Sequence, residues 1–143
     1  MTVNTILMHK GRDIVTIRAE TTVGEAVTCM AENRIGAVVV VDDTKAVAGI
    51  VSERDVVRLL AERGTAALDV IVGDVMTRAV VTCAPDESIT AIMERMTRGR
   101  FRHVPVLAGG VLIGIISIGD VVKYRVEEME REHDALRSYI MTA

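Results

Sequence analysis

Apolar residues along the chain follow two alternating patterns, one typical of amphipathic helices and one typical of buried strands. In residues 23–31 the apolar positions recur at spacings of three and four, which predicts a helix with one buried face. The following run, Ala37–Val41, is apolar and rich in β-branched residues, and it predicts a strand that is buried on both faces. Polar residues 42–45 suit a tight turn into a second apolar strand, Val47–Val51.

The same order of patterns recurs in the second half of the chain. Residues 89–96 have helical spacing, and the apolar runs His103–Leu107 and Val111–Ile116 flank a turn that contains two glycines. Short apolar segments, Ile14–Ile17 and Val80–Cys83, precede the two helices and predict a first strand in each half. Each half is therefore predicted as β-α-β-β-α.

Signals at the helix ends support these boundaries. Thr22 is followed three residues later by Glu25, the pattern of a capping box, and Ser88 is a good N-cap for the second helix. We expect the two helices to end at Asn33 and Gly99.

The two halves are related by an internal duplication. The motif Gly-x-x-Ser-x-x-Asp occurs at residues 49–55 and again at residues 114–120, each time after a predicted hairpin. One repeat alone is too small to bury both faces of its sheet, so we expect the two repeats to pack against each other. The predicted organisation is a first repeat, a linker, a second repeat and a C-terminal helical extension, at residues 1–64, 65–73, 74–126 and 127–143.

The duplicated motif places a hydroxyl and a carboxylate at the start of a helix. Ser52 and Ser117 lie where a strand ends and a helix begins, and free backbone N–H groups there favour an anion. Asp55 and Asp120 follow one turn later on the same side, where a carboxylate can accept two hydrogen bonds from a ribose diol. The alternative is structural, with the serine as N-cap and the aspartate as a favourable first-turn charge. Two copies of the motif favour a ligand site.

Four segments carry a resemblance to a known family. Residues 34–41, 49–57, 99–106 and 114–122 resemble CBS domains, and the chain resembles a tandem CBS pair, or Bateman module, of the stand-alone prokaryotic type. The resemblance implies an α/β fold of two β-α-β-β-α repeats packed as a pseudo-symmetric pair, followed here by a long C-terminal helix. It also implies clefts between the repeats that bind adenosine-containing ligands such as AMP, ADP, ATP, NAD(H) or S-adenosylmethionine, without an obligatory cofactor.

The resemblance assigns roles to individual residues. Asp55 and Asp120 match the ribose-binding aspartates of the family, and Ser52 and Ser117 match its hydroxyls near phosphate. The segments that line adenine in the family fall at five small or apolar positions: Thr16, Ala37, Val38, Thr82 and Val104.

The two implied sites differ in charge. Arg102 and His103 precede the buried strand of the second repeat, where the family often places basic groups facing phosphate, and the first repeat has a Gly-Ala pair there. Arg54 lies inside the first motif, where the second motif has a glycine. We expect the Asp120 cleft to favour phosphate and the Asp55 cleft to accept a bulkier or less charged group. Taken singly, Arg102 equally fits a solvated surface residue, and His103 a neutral strand residue or a weak pH sensor.

Composition disfavours several functional classes. The 17 basic and 20 acidic residues give a net charge of −3, and aromatic residues are only 2%, which disfavours nucleic-acid binding by charge or by base stacking. Cys29 and Cys83 fit no metal-site spacing and indicate inert thiols in a reducing compartment. No apolar run approaches 18 residues and the first residues contain no export signal, so we expect a cytoplasmic protein that does not bind a membrane.

The sequence contains no recognisable set of catalytic residues. His9, His103 and His133 lie far apart, and no carboxylate pair or metal cluster recurs. We therefore expect a regulatory module and not an enzyme: it would sense adenine nucleotides, as in energy sensing, and pass their occupancy to an unidentified effector protein. The alternative is a structural or adaptor homodimer with no nucleotide dependence.

The segment 118–141 predicts a long C-terminal helix. Positions spaced by four and three along it form a seam of fewer than three heptads: Val122, Val126, Met129, His133, Leu136 and Ile140. The seam either packs on its own domain or contacts a second copy of the chain, and we expect a homodimer.

Overall fold

The computed structural model describes residues 1–11 and 13–142, so Arg12 in the predicted first repeat and Ala143 at the end of the predicted extension lie outside the described residues. The first half contains α1 (Val3–Lys10), β1 (Thr16–Arg18), α2 (Val23–Asn33), β2 (Ala37–Val41), β3 (Val47–Ser52) and α3 (Glu53–Arg63). A 3-10 helix (Gly64–Asp69) and the single turn α4 (Val72–Val75) follow. The second half contains α5 (Ile89–Gly99), β4 (His103–Ala108), β5 (Val111–Ser117) and α6 (Ile118–Thr142).

The chain divides into two compact units. Among the described residues, the first unit consists of 13–81 with 109–113, and the second unit consists of 1–11, 82–108 and 114–142. The N-terminal helix α1 therefore belongs with the second repeat, where the Val3 N–H donates to the Glu87 carbonyl at 2.9 Å. The boundaries expected from the sequence, at residues 64, 74 and 126, stay predictions.

The first unit is built on a three-stranded sheet in the order β1-β2-β3. Strand β2 pairs with β1 in parallel and with β3 antiparallel. Val38, Val39 and Val40 of β2 are all completely buried, which confirms that this central strand is covered on both faces. Helix α2 contributes Val23 and Ala26 to the same core, as its apolar spacing predicts.

The second half of the chain contains a two-stranded sheet, β4-β5, and here one prediction is wrong. The expected strand Val80–Cys83 is not formed in the described structure, where Cys83 makes only an isolated parallel bridge to Val106. Pro85 follows two residues later and cannot donate to a ladder, so the pairing does not extend beyond Cys83 in that direction. In the first unit the corresponding strand exists but starts later than expected, at Thr16 and not at Ile14.

The helix ends agree with the sequence signals. The Glu25 N–H donates to Thr22 Oγ1 at 3.1 Å, and the Ala91 N–H donates to Ser88 Oγ at 3.1 Å. Helices α2 and α5 end at Asn33 and Gly99, as predicted. Each is followed by an arginine in the left-handed conformation, with φ of 54° at Arg34 and 58° at Arg100. The duplication therefore extends to an unusual backbone conformation at equivalent positions.

Residues 65–73, predicted as a linker, are structured. They include most of the 3-10 helix and the first residues of α4, and Ala67 is completely buried in the core of the first unit. None of the helices among residues 1–11 and 13–142 combines the length and the apolar character that a transmembrane span requires.

Candidate functional site

In the first unit the duplicated motif forms a reciprocal helix cap. Strand β3 ends at Ser52, and α3 begins at the next residue. The Asp55 N–H donates to Ser52 Oγ at 3.3 Å, while Asp55 Oδ2 accepts from the Ser52 N–H at 2.9 Å and from the Ser52 hydroxyl at 3.0 Å. Asp55 Oδ1 accepts from the Arg58 guanidinium at 2.9 Å, one turn further along α3. The motif thus fixes the carboxylate at the strand–helix junction.

The second unit repeats this cap and adds a cation from a distant part of the chain. Asp120 Oδ2 accepts from the Ser117 N–H at 2.9 Å, and the Asp120 N–H donates to Ser117 Oγ at 3.2 Å. Lys10, the last residue of α1, donates from Nζ to the same carboxylate oxygen at 2.7 Å. The same ammonium donates to the Ile115 carbonyl at 3.1 Å. Asp120 is thereby linked to an element 110 residues earlier in the chain.

The surroundings of Asp120 hold its side chain in the ionised form. Burial by itself would raise the pKa of this carboxyl. The hydrogen bonds and charge of Lys10, together with the hydrogen bonds from Ser117, outweigh burial and lower the pKa below its usual value of 3.8. Asp120 is therefore a charged hydrogen-bond acceptor near neutral pH.

The sheet of the first unit places Ala37 beside the motif, whereas Thr16 lies two strands away from it. Ala37 lies directly opposite Ser52 in the β2–β3 register, and Thr16 on β1 lies opposite Val39. Thr16 is exposed, whereas the side chains of Ala37 and Val38 are buried in the core. Arg54 is exposed on the first turn of α3.

In the second unit the backbone places Arg102 and His103 beside the start of α6. The Ile118 N–H donates to the Arg102 carbonyl at 2.8 Å, and the Arg102 side chain is exposed. His103, the first residue of β4, is half-buried. Thr82, also half-buried, precedes the bridge at Cys83, and Val104 is buried in the core.

The sequence motif did not reveal the role of its glycines. A Cβ atom added to Gly49 would lie 2.6 Å from Met76 Sδ and 2.9 Å from the Thr77 carbonyl oxygen. A Cβ atom on Gly114 would lie 2.6 Å from Leu7 Cδ2. In both repeats, therefore, the glycine leaves room for another segment of the chain to pack directly on the strand that ends in the serine. That segment contains Met76 and Thr77 at Gly49, and Leu7 at Gly114.

Sequence reasoning missed two cations, Arg58 beside Asp55 and Lys10 beside Asp120. Lys10 has no counterpart in the duplicated motif and lies far from Asp120 in the sequence, so no spacing rule predicts its contact. Within the described ranges, no cluster of three or more His, Cys, Asp or Glu side chains could hold a metal ion. Burial raises the pKa of the Cys83 thiol to about 12, which keeps that cysteine in the unreactive thiol form.

Comparison with known proteins identifies the family. The model of the CBS domain matches the chain twice, at residues 3–62 and 72–127. The chain belongs to the CBS domain family. A CBS-domain containing protein from Agrobacterium tumefaciens has a similar crystal structure, with 48% identity, a TM-score of 0.85, and coverage of 87% of this chain and 99% of that one. CBS pair proteins are generally regulatory, non-catalytic modules.

Two further relatives extend the comparison. A mitochondrial CBS domain-containing protein of Arabidopsis thaliana is 35% identical over 147 residues, covering 97% of this chain and 71% of its own length. A CBS domain protein from Pyrobaculum aerophilum, solved in complex with AMP, is 29% identical with a TM-score of 0.75 over 84% of this chain and 89% of its own. Two other curated relatives are much longer, and this chain matches only 38% and 22% of their lengths.

Proposed function

We propose that this CBS pair is a regulatory module that binds adenosine-containing nucleotides through the Ser-x-x-Asp motif of each repeat. The observation that carries the proposal is the duplicated cap, which holds Asp55 and Asp120 at equivalent strand–helix junctions. The Pyrobaculum aerophilum relative that binds AMP supports adenosine as the recognised group. The ligand would be AMP, ADP, ATP or NAD(H), with the ribose on the aspartate.

The proposed binding uses carboxylate lone pairs that the helix caps do not occupy. A carboxylate offers about four lone-pair positions, so an aspartate that caps its own helix can still accept from ribose hydroxyls. Backbone N–H groups at the starts of α3 and α6 favour phosphate oxygens. In the second unit, Arg102 and His103 place basic side chains beside the start of α6. Binding would regulate an effector protein by shifting the population of arrangements that the module adopts, without catalysis.

A nucleotide panel tests this function. The melting temperature of the protein should rise with AMP, ADP, ATP, NAD or NADH, because a ligand that binds only the folded state at 100 times its Kd adds about 2.7 kcal/mol of stability. S-adenosylmethionine belongs in the panel as another adenosine ligand, and the guanine nucleotides serve as matched controls. A melting temperature that no adenine ligand raises would overturn the proposal.

A second candidate function, an adaptor homodimer, is favoured by one surface. The apolar residues of the predicted seam on α6 are exposed, from 43% at Val122 to 66% at Ile140, while α6 anchors to its own unit through Val121 and Tyr124. An unpaired apolar stripe of this kind fits a second copy of the chain. A cytoplasmic homodimer that binds nucleotide would combine both functions.

A further inference from the structure

Asp120 lines a cavity on the second unit that lies between α1 and α6. The cavity has a volume of about 430 Å³, within the range of small-molecule sites. Its charged lining consists of three cations and two carboxylates: Lys10, Lys123, Arg131, Asp120 and Glu127. When the Lys10–Asp120 ion pair is set aside, two cations, Lys123 and Arg131, remain against one carboxylate, Glu127. The remaining surface of the cavity therefore favours an anionic group.

The Lys10 ammonium retains a donor for such a group. An ammonium has three N–H donors. Among the contacts of the described residues, Nζ donates to Asp120 and to the Ile115 carbonyl, which leaves one N–H for a further acceptor. The side chain is 39% exposed, so an acceptor in the cavity can reach it.

We propose that Lys10 is the specificity-determining residue of the Asp120 site, placing a cation beside the diphosphate of a bound adenosine ligand. The inference rests on the proposed function and names the ligand class for one of its sites. The ribose binds Asp120, and the phosphates extend into the cavity toward Lys10 and Lys123. ADP, ATP and NAD share this adenosine diphosphate group, whereas AMP lacks the second phosphate.

The test isolates the second site in an Asp55→Ala background and measures affinity by calorimetry. Adenosine, AMP, ADP and NAD are titrated into this protein, into its Lys10→Met derivative and into a Lys45→Met control. The control loses the same charge at an exposed turn of the first unit, and melting temperatures establish that each variant is folded. Lys10→Met should weaken ADP and NAD about tenfold or more, because a charge-assisted hydrogen bond is lost, and should weaken adenosine far less. Lys10→Arg should retain the preference for ADP, and Lys45→Met should change no affinity.

The outcomes separate this inference from the function on which it rests. If Lys10→Met weakens adenosine and ADP by the same factor, or weakens neither, Lys10 does not face phosphate and the inference is overturned while nucleotide binding stands. If NAD is unaffected when ADP is weakened, the cavity does not take a dinucleotide and the class narrows to ADP and ATP. If the Asp55→Ala protein binds none of the four ligands, the proposed function of the Asp120 motif fails as well.

Discussion

The backbone N–H of Ile118 donates a 2.8 Å hydrogen bond to the carbonyl oxygen of Arg102. In the first unit the equivalent bond joins the Glu53 N–H to the Gly36 carbonyl at 2.9 Å. Each bond ties the first residue of a helix to the residue before a buried strand. A backbone hydrogen bond therefore holds the position of Arg102 or Gly36 next to the Ser-x-x-Asp motif. At this position the second repeat carries a guanidinium group, and the first repeat has no side chain.

This difference predicts a ligand-dependent effect of Arg102→Ala. AMP should bind more weakly to the variant, by about tenfold, while adenosine affinity should change little, because only AMP carries the charge that the guanidinium would meet. Calorimetric titrations with both ligands measure the two effects. Arg98→Ala, which removes an exposed arginine from α5, is the matched control and should leave both affinities unchanged. Equal losses for AMP and adenosine would show that Arg102 does not face phosphate.

The motif glycines predict a difference in stability between repeats. Gly49→Ala should lower the free energy of unfolding by roughly 1–3 kcal/mol, because the new Cβ meets both Met76 and a fixed backbone oxygen. Gly114→Ala should lower the free energy of unfolding by less, since the atoms nearest to its new Cβ belong to the side chain of Leu7. Urea unfolding measures both. Gly119→Ala is the control: its Cβ would lie 3.6 Å from Ser117 Oγ, so the variant should be as stable as the native chain or more so. A Gly49 variant of native stability would contradict the packing role.

The Lys10–Asp120 pair predicts a pH-dependent contribution to stability. The folded-state pKa of Asp120 lies below 3.8, so the contribution is fully present above that pH and is lost as the pH falls through the folded-state pKa. Lys10→Met removes the ammonium, whose hydrogen bond and charge lower this pKa, and leaves burial and the Ser117 hydrogen bonds, so the pKa of Asp120 should rise. The stability difference between the native chain and the variant, measured by urea unfolding, should be largest near pH 7 and shrink below about pH 4. A difference that is constant from pH 7 to pH 3 would exclude the ion pair as its cause.

The exposed seam on α6 predicts an effect on assembly. Burying Leu136 and Ile140 in a dimer contributes roughly 1.5–3 kcal/mol for each side chain, or one to two decades in the dimer dissociation constant. Light scattering across a dilution series should show a dimer for the native chain and dissociation at higher concentration for Leu136→Asp/Ile140→Asp. The control Ala135→Asp/Ser138→Asp adds the same charge away from the seam. A monomeric native chain, or a seam variant with unchanged affinity, would remove α6 from any dimer contact.

Sequence reasoning captured the elements whose signals are local. The apolar run Ala37–Val41 and the caps at Thr22 and Ser88 each depend on residues within one turn or one strand, and each was predicted correctly. The prediction of a strand at Val80–Cys83 was wrong. Its pairing depends on a partner that is distant in the sequence, and only one bridge forms, from Cys83 to Val106. Apolar residues alone do not determine how many ladder bonds a segment finds.

The site was predictable to the extent that it is duplicated. Ser52 and Asp55 are recognisable because the same pair recurs with the same spacing, and the structure places each pair at one strand–helix junction. Lys10 approaches Asp120 only through the packing of α1 against α6, which no local pattern encodes. The sequence therefore predicts that the two motifs are equivalent, whereas the contact of Lys10 with Asp120 is seen only in the structure.

The most direct test of the central claim is a calorimetric titration of AMP into the Asp55→Ala/Asp120→Ala variant. Each substitution removes charge-assisted hydrogen bonds worth about 1.5–3 kcal/mol, so affinity at each site should fall roughly ten- to hundredfold. The control Asp69→Ala/Asp86→Ala removes two exposed carboxylates outside the motifs and should bind AMP as the native chain does. Binding of AMP to the double motif variant with native affinity would contradict the account, because the duplicated aspartates would then be helix caps alone.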